Sequence, residues 1–415
     1  MTSHLLQKTL LCVIFITGSV FSFSQFTVYD ASNSGLPYNT VRCVHANPFT
    51  NEIWAGTDYG LARFDGSVWT VYNTSNSGLT DNFIRSVETD SAGNVWVGTL
   101  FGGLFEFDGS TWINYHTGNS GLPDNQIKDV EFDQDGYMWV ATTGGLAMFN
   151  GSSWTIWNVF NSSFPTNNIS SIKIASDNSK WIGAVNGGLQ IISADNLSVT
   201  TYWSYNSSLV DNTILMLDFD NSGQIWMATP SGGLIWHLGG DNFIFYNTLT
   251  SDIPTNSATY ILIDDDNQKY ATTIDDGLVI YDGIYFEQYN MSNSNLPDNY
   301  LYCIEKDTLG MMWMGSYNGG LIKFDPQTLS VTTPVQVNHA FELEAMYSLD
   351  HSFYFDFTQP LRSMRVYDLH GSLVYEQALS GKNAQLLSSS FSAGMYLAVF
   401  TSEEGASVSR KIIFR

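Results

Sequence analysis

Basic residues are scarce. Sixteen Lys and Arg stand against 40 Asp and Glu in 415 residues, a formal net charge of −24. Phosphates would be repelled by such a field, which excludes nucleic acid and anionic membrane surfaces as partners. Solubility as an acidic exported monomer is the plain reading of the charge; attraction of cationic ligands is the functional one. Cysteine is scarcer still, at three. Cys12 falls in an N-terminal leader, and the remaining Cys43 and Cys303 are too few for a disulfide scaffold. Beyond the leader no apolar run approaches ~20 residues, so no membrane-spanning helix is expected. Metal-ligand spacings such as His-Glu-x-x-His and the nucleophile elbow Gly-x-Ser-x-Gly are missing too. No cofactor, catalytic set or metal site is nominated.

What the chain does have begins with that leader. Lys8 supplies a positive start, Leu10 to Val20 an apolar run, and Ser22, Phe23 and Ser24 a small-x-small cleavage site. Residues 1–24 are therefore expected to be a secretory signal, with the mature chain beginning at Gln25.

A pattern of roughly 43 residues then recurs seven times between about residues 35 and 325. Its tryptophans are Trp54, Trp96, Trp139, Trp181, Trp226 and Trp313, with Tyr270 in the sixth copy. Gly-Leu pairs follow, starting at Gly60, Gly103, Gly145, Gly188, Gly233, Gly277 and Gly320. In the second copy, Phe83 to Thr89 partly alternates apolar and polar residues, Asp90 to Gly93 is a turn, and Asn94 to Thr99 is a strand. Leu104 to Phe107, the Asp108-Gly109 hairpin and Thr111 to Tyr115 complete four strands. The expected fold is all-β: a seven-bladed β-propeller over 25–333, then a small Ig-like β-sandwich over 334–415. The tryptophans are expected between blades. The Asp-Gly turns, including Asp133 to Gly136, are expected to be structural rather than calcium-binding.

A ring needs its ends joined. Phe26 to Tyr29 copies the fourth strand of a blade and is expected to complete blade 7, with Leu329 to Thr333 competing for the slot. Cys43 and Cys303 fall at one register of neighbouring inner strands. A disulfide there could staple the closure; two separate buried thiols are the simpler expectation.

Val95 to Thr99 with the following Gly-Gly-Leu-Phe-Glu-Phe-Asp, and the linker Gly121 to Ile127, resemble the two-component regulator propeller repeat. That resemblance implies extracellular ligand sensing, often of glycans, although no kinase or regulator follows here. The C-terminal pieces Met364 to Gly371, Ala393 to Val399 and Lys411 to Arg415 resemble the sorting domain of the type IX secretion system. The likeness implies engagement of the secretion machinery, with Lys411, Ile412, Ile413, Phe414 and Arg415 as the terminal signal. It also implies cleavage near Thr332 to Asn338 and release or surface tethering of the passenger.

Function must be argued from a site. The loops between second and third strands vary most, and Asp58, Tyr59, Phe101, Asn186, Asp275, Asp276, Tyr317 and Asn318 are nominated there as ligand contacts. Aromatic faces beside carboxylates and amides suit sugar rings. The inter-blade linkers add Tyr38, Phe83, Asp124, Asn125, Asp298 and Tyr300. His45, Glu88, Glu131, Asp218 and Glu305 are expected to line the channel. The leading expectation is a non-catalytic module binding an extracellular glycan or protein. A glycan lyase or hydrolase at the channel mouth is the alternative, and a purely structural surface role the third.

Overall fold

Each repeat folds as a four-stranded antiparallel meander. In the computed structural model, blade 1 comprises β2 (Val41–Ala46), β3 (Ile53–Thr57), β4 (Gly60–Phe64) and β5 (Trp69–Tyr72), and six further four-stranded sheets repeat it. Blade 2 runs Ile84–Thr89, Val95–Thr99, Leu104–Phe107 and Trp112–Tyr115, each within a residue or so of the expected strand. The structure describes residues 26–328 and, further on, 343–349, 352–357, 360–367, 373–387, 391, 394–403 and 407–414. The expected leader, Leu329 to Thr333, the 333/334 boundary, the expected cleavage linker and Arg415 lie outside these residues.

Much of the repeat is consumed in holding the ring. In blade 2 one oxygen of Asp90 accepts the backbone N–H groups of Ala92 and Asn94, and the other accepts the Trp96 indole N–H at 3.0 Å. A single carboxylate thus fixes the turn and aims the tryptophan into the seam between blades. Asp133 with Trp139, Asp220 with Trp226 and Asp307 with Trp313 repeat the device, and Asp264 receives the Tyr270 hydroxyl. Trp139, Trp226 and Trp313 are buried, as an inter-blade wedge requires. Asp133 also faces the fully buried Lys180 ammonium at 3.2 Å, which lies over Trp139. The Asp133 turn is occupied by protein groups.

The linker asparagines act as staples. The Asn82 side-chain oxygen accepts the Thr74 N–H eight residues earlier, and its carbonyl accepts the Gly60 N–H of the preceding blade. The side-chain bond recurs at Asn39, Asn125, Asn167, Asn212, Asn256 and Asn299. At the Gly-Leu hairpins φ is positive, and a Cβ on Gly103 would stand 2.3 Å from the Tyr115 carbonyl oxygen. Only glycine fits there.

The ring closes through the N-terminal strand. β1 (Thr27–Tyr29) pairs antiparallel with Leu321–Phe324 as the fourth strand of blade 7. A Cβ on Gly320 would meet the Tyr29 carbonyl at 2.2 Å, the contact each blade makes with its own last strand. Phe26, 1% exposed, packs edge-on against Phe324, and Tyr29 stacks on Trp313. The inner strand of blade 7 (Leu301–Lys306) lies against β2. Cys43 and Cys303 sit at one register, opposite Gly56 and Gly315, and are free thiols with no bridge between them.

The C-terminal unit has a three-stranded sheet (Leu343–Leu349, Ser352–Phe357, Asn383–Leu387) and a four-stranded one (Leu373–Ala378, Leu361–Tyr367, Gly394–Ser402, Ser407–Phe414). Phe355, Phe357 and Leu386 from the first sheet share a core with Met364, Val366 and Phe400 from the second. That is a sandwich. Lys411, Ile412, Ile413 and Phe414 belong to its last strand. Among the described residues no helix is long and apolar enough to cross a membrane.

Candidate ligand-binding mouth of the channel

Two layers of side chains line the central channel, and alternation reveals only one of them. Opposite the tryptophan positions stand His45, Glu88, Glu131, Lys173, Asp218, Leu262 and Glu305. Near the start of six of the seven inner strands the register slips by one residue. A β-bulge re-aims the extra side chain. The inserted residues are Arg42, Arg85, Lys128, Ser170, Thr259 and Tyr302, and with Leu215 they line a neck of about 230 Å³.

The rim of this mouth is built by the loops between second and third strands. The guanidinium of Arg42 forks onto Asp58, Nε to Oδ1 at 2.8 Å and Nη2 to Oδ2 at 2.9 Å, and lies 4.4 Å from the centre of the Tyr302 ring. Tyr300 packs on Tyr302 at 4.6 Å and stacks on Tyr317 at 5.5 Å. Tyr38 meets Tyr59 at 4.5 Å, and Phe83 meets Phe101 edge-on at 6.2 Å. Tyr59, Phe101 and Tyr317 are 57%, 67% and 51% exposed, an aromatic arc over blades 7, 1 and 2 that the core does not use.

The mouth is cationic, although the chain is acidic. Burial, then the neighbouring Arg42, lowers the pKa of Arg85, whose Nε is buried without a hydrogen-bond partner. Burial, then Arg85, brings Lys128 down to about 8; its ammonium donates to the neutral amide of Asn168. Deeper in, toward the opposite end, the channel is acidic. Burial raises Glu305 to about 8 and, followed by Glu131, raises Asp129 to about 7. Burial opposes the charge of Lys173, but Glu131, 3.3 Å away, then Asp218 and Glu305, holds it well above its ordinary value. Burial lowers His45 to about 4, and its Nε2 contacts the Thr89 hydroxyl at 2.8 Å. A wider funnel of about 710 Å³ opens at this end, but turn residues such as Asp307 and Gly310, already bonded within the repeat, form its wall. Among the described residues no three His, Cys, Asp or Glu are grouped to hold a metal ion.

These shifts set a pH dependence. Glu305 and Asp129 keep protons in the native state that the unfolded chain has released, so stability falls as pH rises from about 4 toward 8. His45 acts oppositely at the acid end, costing stability as pH falls from 6.5 toward about 4. The thermal midpoint is expected to decline between about pH 6.5 and 8. Glu305→Gln should flatten that decline, and an unchanged slope would assign it elsewhere.

Of the nominated contacts, Tyr59, Phe101, Tyr317 and Asn318 present exposed side chains on the arc or beside it. Asp58 does not stand open as an acceptor, because Arg42 holds both its oxygens. Asn186 is a turn residue at φ 58° whose amide bonds to Thr213, and Asp276 is taken by Gln288. Asp275 is exposed on blade 6, away from the aromatic arc of blades 7, 1 and 2. In the linkers Asn125 is a staple, and the Asp298 carboxylate accepts N–H groups of Tyr300 and Asn318. His45, Glu88, Glu131 and Glu305 line the channel, while Asp218 receives the Phe219 and Ile263 N–H groups. Sequence reasoning missed Arg42, Arg85, Lys128 and Tyr302. The available signal was the broken alternation in Ile84-Arg-Ser-Val-Glu-Thr89, which marks the bulge.

Comparison with known proteins bears on both units. Residues 350–415 match the secretion system C-terminal sorting domain, and residues 78–101 and 121–144 match the two-component regulator propeller. No curated protein sequence matches the chain. The solved extracellular domain of a hybrid two-component system from B. thetaiotaomicron aligns with a TM-score of 0.65 at 21% identity, over 94% of this chain and 57% of its own. PorZ, a surface component of the type-IX secretion system of Porphyromonas gingivalis, gives 0.57 at 16% identity, over 93% and 60%. Virginiamycin B lyase from Staphylococcus aureus gives 0.57 at 11% identity, over 72% and 98%. This chain spans less than two thirds of the first two, and at these identities the fold is what is shared. The chain is thus a β-propeller protein that matches the two-component regulator propeller at residues 78–101 and 121–144 and carries a type IX sorting domain match at residues 350–415, secreted or held at the cell surface.

Proposed function

We propose that the propeller is a non-catalytic recognition module for an extracellular ligand, a glycan before a protein, bound at the cationic mouth. The secretory leader at residues 1–24 belongs to the same reading, as the entry to export. The observation that carries it is the exposed aromatic arc of Tyr59, Phe101 and Tyr317 around a formed channel mouth. The repeated Asp, Asn, Gly and Trp are occupied in holding blades together, whereas these aromatics occur only on blades 7, 1 and 2. Aromatic faces stack on the C–H faces of sugars, and the polar groups between them take hydroxyls.

A lyase or hydrolase is the second reading. Two carboxyls titrating near neutrality, Asp129 and Glu305, favour it, since general acids are tuned that way. Both line the neck itself rather than the aromatic rim, which weighs against it. Replacing Tyr59 and Phe101 together with Ala should weaken ligand binding at least about tenfold, from two lost stacking contacts, while the melting temperature holds. Unchanged affinity would move the site off this arc.

A further inference from the structure

Residues 26–328 contain nine lysines and arginines, and three of them occupy successive bulges of blades 1, 2 and 3 at one end of the channel. Stability does not call for this grouping. Arg42 and Arg85 repel, as do Arg85 and Lys128, and burial adds to the cost of both charges. Only Arg42 has a carboxylate of its own, in Asp58; Lys128 has a neutral amide, and the buried Nε of Arg85 has no partner. A surplus of positive charge is therefore held, incompletely neutralised, at the neck.

Building on the recognition reading above, we propose that the mouth binds an acidic glycan, its carboxylate or sulfate group seated among Arg42, Arg85 and Lys128 and its sugar ring resting on the aromatic rim. An anion supplies what Arg85 and Lys128 lack: oxygens for the Arg85 fork and for the Lys128 ammonium, in a site where charge-assisted hydrogen bonds are strong. Depth is limited by charge as well as width. The same cavity is also lined by Asp129, Glu88, Glu131, Lys173 and Glu305, so the anion's contacts are confined to the layer of Arg42, Arg85 and Lys128. A neck of about 230 Å³ takes one acidic group, not a threaded chain. The rim decides between an acidic sugar and an acidic peptide. Tyr59, Phe101 and Tyr317 are exposed on the loops of blades 1, 2 and 7, where a pyranose ring could rest while its acidic substituent points inward.

Calorimetric titration of the purified full chain tests this with four probes: a tetragalacturonate, a heparin-derived tetrasaccharide, fully methyl-esterified tetragalacturonate and polyglutamate. At about 0.15 M salt, one or both charged sugars should bind, with carboxylate and sulfate as the two sources distinguished by which one does. The esterified sugar should bind at least about tenfold more weakly. Arg85→Gln and Lys128→Gln should each lower affinity about tenfold, and Arg85→Lys should recover part of the loss, with melting temperatures unchanged. Lys128→Gln keeps the test open if the Arg85 variant fails to fold. Equal binding of charged and neutral sugars overturns the acidic assignment but leaves the recognition reading standing. Charged-probe binding indifferent to both substitutions overturns the site. Binding of polyglutamate with no sugar binding overturns the glycan class, and failure of every probe overturns the acidic-glycan proposal while leaving the recognition reading to neutral glycans and proteins.

Discussion

Removal of Phe26 to Tyr29 should cost the propeller at least about 5 kcal/mol, the scale of deleting large core aromatics. The melting midpoint would then drop by about 10 °C or more for a domain of this size. Three losses combine. The ladder between Thr27–Tyr29 and Leu321–Phe324 disappears and leaves blade 7 with an open edge. The buried Phe26 ring leaves a void beside Tyr289 and Phe324. Trp313 loses the Tyr29 ring stacked on it. Asn295, which exchanges hydrogen bonds with the backbone of Phe26 in both directions, loses that partner as well. Calorimetry of the chain with and without residues 26–29 measures the effect. A shift of only a degree or two would mean that the ring does not depend on this strand.

Deleting Lys411 to Arg415 should abolish surface export and leave the protein inside the cell envelope. The segment up to Phe414 belongs to Ser407–Phe414, which pairs along its length with Gly394–Ser402 at the edge of the four-stranded sheet. Truncation removes half of that ladder from the domain matched to the secretion sorting family. The propeller ends its last described blade at Phe324 and should still fold. The predicted outcome is therefore a folded passenger in the wrong place. Fractionation with an antibody to the propeller, together with surface proteolysis, distinguishes the cases. Surface display of the truncated chain at the normal level would sink the sorting role.

The architecture was legible because the repeat is written in residues with fixed structural tasks. Asp90 caps a turn and holds Trp96, Gly103 approaches the Tyr115 carbonyl, and Asn82 joins two blades, so each copy announces its strands seven times over. The ring-closing strand was legible for the same reason, since Phe26 to Tyr29 imitates a blade's last strand. The site was only half legible. Exposed aromatics such as Tyr59 and Phe101 could be placed from loop position, but a carboxylate's availability depends on its partner, and Arg42 claims Asp58. The cations were hidden by the bulge. Period-two alternation assigns one set of inner-strand residues to the channel, and a one-residue slip adds Arg42, Arg85 and Lys128. Asn186 and Asp276 were nominated by loop variability, yet Asn186 is tied to Thr213 and Asp276 accepts from Gln288.

The most direct measurement is a glycan-array screen of the purified chain, with every bound glycan re-incubated and checked for products by mass spectrometry. Binding without turnover, lost when Tyr59 and Phe101 are both replaced by Ala, is the result expected of a recognition module at this mouth. Product formation would contradict it and turn attention to Asp129 and Glu305. Silence across the array would contradict the glycan as ligand and leave a protein partner for the aromatic arc.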